Sequence, residues 1–174
     1  MGRQALHDDA VDLDQRLELL LLTHDRAGVA IDPQAERDDL STDGRRHGVV
    51  RVWHKNGVLA NEESYQNGVL HGLCRQWDET GRLLGEYRMV HGTGVQRTWH
   101  ENGRLQLEFS TVCGDFSGRY RLWLNDGKLM SEEIYLHGKS VTAGVYRAAW
   151  AKDKSLPKLT GKAGKPWPNT VATE

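Results

Sequence analysis

Eight histidines, two cysteines and a recurring set of arginines and glutamates are the residues of this chain that could do chemistry. Histidine and cysteine ligate transition metals when they converge. Here they are spread along the chain: His47, His71, His91 and His137 each precede a glycine, and His54 and His100 each follow a tryptophan. Such regular placement marks turn positions of a repeat, not a ligand cluster. Cys74 and Cys113 make neither a zinc site nor a disulfide framework, and a reduced, cytoplasmic protein is the simplest expectation. Cys113 next to Gly114 could expose a thiol on a loop, but cysteine more often fills space as a small apolar group. The carboxylate pairs Glu62-Glu63 and Glu132-Glu133 occupy adjacent strand positions, which point to opposite faces and do not suit a glycosidase. No Gly-x-Ser-x-Gly elbow and no phosphate loop occurs. The expectation is a protein that is not an enzyme, with no catalytic residues, no cofactor and no metal.

The arginines obey a stricter pattern. Arg51, Arg75, Arg97, Arg121 and Arg147 each stand three residues after a glycine, and Glu62, Glu86, Glu108 and Glu132 each stand five residues after another. In the first four copies the arginine is two residues before a tryptophan, which predicts that both share one strand face. Two roles are open for this column. It can be structural, with arginine stacked beside tryptophan and paired with glutamate across strands. It can also present arginine and tryptophan to an acidic partner. The candidate partner-binding residues are therefore Arg51, Arg75, Arg97, Arg121, Trp53, Trp77, Trp99 and Trp123.

The elements that position these residues are legible from their spacing. Trp53, Trp77, Trp99 and Trp123 recur at steps of 24, 22 and 24 residues, each four residues before a glycine. A period in the twenties signals a repeat architecture. Each unit opens with glycine and a short strand ending in tryptophan, as in Gly48-Val-Val-Arg-Val-Trp53. A turn such as Lys55-Asn56-Gly57 comes next, then a return strand with leucine (Leu59, Leu83, Leu105, Leu129) that ends on an aromatic (Tyr65, Tyr87, Phe109, Tyr135). Asn-Gly and Asp-Gly between apolar runs predict β-hairpins, because both residues tolerate positive φ. Gly144 to Trp150 reads as a fifth, imperfect copy in which the array ends. A lone hairpin is marginal in water, whereas stacked hairpins share their apolar columns.

Charge divides the chain into three regions. Residues 1–43 hold 4 basic and 11 acidic groups, a net −7, and residues 44–150 hold 14 and 11, a net +3. Residues 151–174 hold 5 and 2, also +3, within a total of −1. The first region is expected to be an acidic helical cap. Leu13, Leu17, Leu20 and Leu21 fall on one face of a helix over 11–26, which either caps the first repeat or, with Leu20 at its centre, binds another chain. A second short helix is expected after Pro33. The last region, with Pro157, Pro166, Pro168 and an isolated Trp167, reads as a flexible basic tail. No apolar stretch reaches the roughly 18–20 residues of a membrane span, and residues 1–10 do not resemble a secretory signal.

The frame Tyr65-x-x-Gly68-x-x-x-Gly72…Trp77-x-x-x-Gly81-x-Leu83 resembles the MORN-repeat variant of bacterial proteins often labelled YwqK-type antitoxins. The resemblance covers about residues 44–150, with departures at residues 88–94, which are two residues short, and 110–118. It implies a mainly β fold, an elongated antiparallel meander of stacked hairpins, here with a short N-terminal helical segment. It also implies a non-enzymatic protein-binding module or scaffold, with another protein as partner: an antitoxin neutralising a toxin, or a subunit of a larger assembly. The alternative is an anionic surface, phospholipid or nucleic acid, held by the arginine column and tail. The net charge of −1 argues against it and the acidic N-terminal region argues harder.

Overall fold

The computed structural model describes residues 30–31 and 44–159. The expected helices over 11–26 and after Pro33, Leu20, and the tail from residue 160 on, with Trp167, lie outside the described residues; the first part of the expected flexible tail is described and ordered, with residues 151–152 closing a helix and Leu156 buried. The chain is mainly β: one antiparallel meander in which successive strands are neighbours. The strands are β1 (Ala30–Ile31), β2 (Gly48–Trp53), β3 (Leu59–Gln66), β4 (Val69–Leu70), β5 (Gly72–Trp77) and β6 (Leu83–Val90). They continue as β7 (Thr93–Trp99), β8 (Leu105–Val112), β9 (Asp115–Trp123), β10 (Leu129–Leu136) and β11 (Lys139–Ser140). A helix, α1 (Ala143–Lys152), comes after them.

Two kinds of turn alternate along the sheet. At one end, Asn67-Gly68, His91-Gly92, Cys113-Gly114 and His137-Gly138 all have both residues at positive φ, the two-residue geometry whose twist suits a hairpin. Residues 110–118 therefore hold an ordinary tight turn. At the other end, the turns after tryptophan span four residues. The Gly57 N–H donates to the His54 carbonyl at 2.9 Å, and Gly57, not Asn56, has positive φ. The Asn56 side chain instead accepts from the Val58 N–H at 3.0 Å, and Asn102 and Asp126 do the same two residues on. The sequence pattern expects these residues at positive φ, but they close their turns through the side chain.

The register corrects the aromatic frame. Each opening glycine faces a residue on the return strand: Gly48↔Tyr65, Gly72↔Met89, Gly94↔Thr111 and Gly118↔Tyr135. Met89 and Thr111 thus hold the place of Tyr65 and Tyr135, while Tyr87 and Phe109 stand two pairs earlier, where the outer units have Glu63 and Glu133. The return strands are of equal length. The two missing residues fall between Gly92 and Gly94, where the other units have Val69-Leu70-His71 and Asp115-Phe116-Ser117.

Trp99 and Arg97 do not share a face as expected. Register shifts fall between Val52 and Trp53, Gln76 and Trp77, and Thr98 and Trp99. Such bulges re-aim a side chain. The Trp99 indole lies over Gly85, where a Cβ would meet it at 2.2 Å, and 6.5 Å from the Tyr87 ring. Gly85 and Tyr87 flank Glu86 and so face away from it, whereas Arg97 lies on the Glu86 side of the sheet.

The apolar core sits on that tryptophan side, in the last two units. Leu107, Phe109, Phe116 and Tyr135 are buried together, with Tyr120 and Leu122 against them. Phe109 and Phe116 are 4.8 Å apart between ring centroids.

The expected fifth hairpin strand is helix α1. The pairing of β10 with β11 puts Thr142 where Gly72 opens β5. Gly72 has a φ of +116°, which a β-branched residue avoids. Thr142 instead takes φ −75° and its hydroxyl caps the helix by accepting from the Val145 N–H. The Tyr146 side chain is fully buried and its hydroxyl donates to the Pro157 carbonyl at 2.9 Å.

Candidate interaction surface

The arginine and glutamate columns interleave into one row across the sheet. Arg51 pairs with Glu62 at 2.8 Å, and Arg75 reaches Glu62 at 3.5 Å and Glu86 at 3.3 Å. Further along, Arg97 pairs with Glu108 at 2.9 Å, and Arg121 reaches Glu108 at 3.4 Å and Glu132 at 2.8 Å. The register places these residues directly opposite one another on neighbouring strands, so alternation along the row is a consequence of the repeat. Arg119 also pairs with Glu132. The sequence did not single it out, because the other units carry Val49, Leu73 and Val95 at that position.

The exposure of the arginines falls along the row. The arginine side chains go from 47% exposed at Arg51 and 38% at Arg75 to 11% at Arg97 and 0% at Arg121. Glu108 is buried with Arg121. The segment after α1 lies beside this sealed end, with Pro157 3.7 Å from the place a Gly118 Cβ would take and Ser110 closer still. Of the candidate residues, Arg51 and Arg75 reach solvent, while Arg121, Trp99 and Trp123 are interior and Trp53 and Trp77 half-buried.

The opposite face carries a tyrosine column. The Tyr65 hydroxyl donates to Glu63 at 2.7 Å and the Tyr135 hydroxyl to Glu133 at 2.8 Å. Burial, reinforced by Glu63, raises the Tyr65 and Tyr87 phenols well above their ordinary value. Burial likewise pushes the Cys74 thiol up to about 11, away from the low values of reactive thiols. The Asp78 carboxyl is held below the usual range by hydrogen bonds, first from the Thr80 side chain and then from Arg82, as it closes its own turn.

The histidines join units. His54 and His100 contact the carbonyls of Trp77 and Trp123, each at 3.0 Å, and His71 accepts from the His91 N–H at 3.1 Å. Thr93 and Ser117 accept in the same way from Cys113 and His137. Among the described residues, no three His, Cys, Asp or Glu side chains gather as a metal site. No described helix is long and apolar enough to cross a membrane.

The family model described as MORN repeat variant matches residues 46–67. This stretch runs from the approach to β2 to the end of β3 and the first residue of its tight turn, Asn67. No curated protein and no solved structure matches the chain. MORN repeats are generally binding modules and are typically non-catalytic.

Proposed function

We propose that this chain is a protein-binding module that docks its partner on the charged face of β2–β6, with Arg51 and Arg75 as the contacting arginines. The observation that carries this reading is the gradient in arginine exposure: Arg51 and Arg75 reach solvent, and Arg97 and Arg121 do not. An alternating row of charges held in register by a sheet offers a specific pattern to a complementary protein surface. Extended repeat surfaces suit that use. The matched repeat lies within this end of the sheet. Within this reading the partner is a toxin that the chain neutralises or another subunit of an assembly. The anionic-surface alternative draws less support, because every arginine of the row is already paired with a glutamate.

The test is affinity capture of the tagged chain from its native host at mild salt, run in parallel with an Arg51→Ala/Arg75→Ala variant of unchanged circular dichroism. A stoichiometric protein recovered by the native chain and lost from the variant is the expected result. Equal recovery by both would remove the row from the binding surface. Recovery of lipid or nucleic acid alone, released steeply by salt, would favour the alternative.

A further inference from the structure

Where the sheet stops, it leaves open a strand edge that it fills elsewhere. β10 repeats β3 bond for bond. In β3, Tyr65 pairs with Leu70, Gln66 with Val69, and the His71 N–H reaches the Ser64 carbonyl. In β10, Tyr135 pairs with Ser140, Leu136 with Lys139, and the Val141 N–H reaches the Ile134 carbonyl. Beyond that point the two differ. The chain continues from Gly72 into β5, which lines the rest of the β3 edge with Gln76 opposite Asn61 and Arg75 opposite Glu62. After β11 it turns at Thr142 into α1. Among the described residues, no strand pairs with Ser131 and Glu132 on that side of β10.

Several positions register the missing neighbour. Ala60 is 2% exposed, and its counterpart Met130 is 62% exposed. Leu124, at the place where His54 bonds to the next unit, is exposed, and so is Leu129. Glu62 takes arginines from the strands on both sides, whereas Glu132 draws both of its arginines, Arg121 and Arg119, from β9 alone. The other end of the sheet differs: β1 pairs with β2 at Val52 and Trp53.

We propose that the β10 edge, residues 129–133, accepts an added antiparallel strand from a protein partner. That strand carries an arginine opposite Glu132 and an aromatic or large apolar residue two positions further on, against Met130. The pattern is that of Arg75 and Trp77 on the equivalent β3 edge. Main-chain hydrogen bonds would supply the contact and the side chains its specificity. A second copy of this chain fits less well. A symmetric β10 pairing would set Glu132 and Glu133 against like charges, and β2, whose Arg51 and Trp53 match the pattern, is already partnered by β1. This site is separate from the face of β2–β6, so either can fail without the other.

The experiment is a titration of the isotope-labelled full chain with a synthetic peptide of residues 70–79 carrying Cys74→Ser, read through amide chemical shifts. Saturable shifts at residues 129–133 are expected. They should weaken at least ~10-fold with a peptide carrying Arg75→Glu, and again in the chain variant Met130→Lys, an exposed position where lysine blunts strand addition. No shift at millimolar peptide, or shifts confined to residues 51–86, would overturn the proposal. So would slow hydrogen exchange at 129–133 in the free chain, which would mean that its own remaining residues cover the edge. Protection that grows with chain concentration alone would replace the partner strand with a second copy.

Discussion

The first two units and the last two carry the same row of alternating charges in the same register, yet in opposite surroundings. Arg51, Glu62, Arg75 and Glu86 lie at or near the surface, while Glu108 and Arg121 are sealed and Arg97 nearly so, with Glu132 beyond them as exposed as Glu62. The strands themselves do not account for this, since the pairing is alike at both ends. At the buried end the segment after α1 comes close to the sheet, with Pro157 3.7 Å from the place a Gly118 Cβ would take. One sequence column thus has two physical roles. Where water remains, the pairs contribute little. Where water is excluded, each charge depends on its neighbours.

That difference can be broken or sharpened by measurement. The largest effect is expected at the sealed end. Arg121→Ala leaves Glu108 and Glu132 without their shared cation, and breaking a buried pair costs about 3–5 kcal/mol. Urea unfolding should show it, and a loss like that of a surface pair would mean the sealed row is wetter than its burial implies. Next comes Gly85→Ala at the junction of the two halves. The new methyl meets the Trp99 ring, and overpacking of this kind costs about 1–3 kcal/mol. A thermal midpoint equal to that of the native chain would show that the indole moves aside freely.

A third test asks whether the open row is backed by a dry face. Tyr65 and Tyr87 are raised by burial and by Glu63, so the fold prefers their neutral forms. Stability from this source is complete below the ordinary phenol value of about 10 and falls as pH rises above it. Tyrosinate absorbance from these two should appear only together with loss of the circular dichroism signal; earlier ionisation would reveal solvent behind the row. The smallest effect is expected for Arg51→Ala, within about 0–1 kcal/mol. A larger loss in the same urea assay would mean that the exposed pairs act as a network.

Much of this was visible in the residues. The spacing of tryptophan and glycine predicts the hairpins, and the arginine and glutamate columns predict cross-strand pairing. Other features depend on geometry that spacing alone does not carry. Counting from the turn glycine aligns Tyr87 and Phe109 with Tyr65 only if strand lengths vary, whereas the pairing keeps them constant and shortens the approach to Gly94. Trp99, beside the bulge between Thr98 and Trp99, takes the face opposite to the one simple alternation assigns. Gly144, Arg147 and Trp150 imitate a fifth unit, but Thr142 holds the position where a left-handed glycine is needed, and the chain becomes helical. The burial gradient, which separates Arg121 from Arg51, left no trace in the columns themselves.

The joints at the tight-turn end are all made alike. The N–H groups of Gly68, Gly92, Gly114 and Gly138 donate to the carbonyls of Arg46, Leu70, Gly92 and Phe116, at 2.8–3.0 Å. Each bond spans the same number of residues and involves main chain alone. A duplicated stretch of gene therefore brings its own fastening, and side chains can drift afterwards without undoing it. The same short span lets a growing chain secure each hairpin to its predecessor as it leaves the ribosome, without waiting for distant sequence.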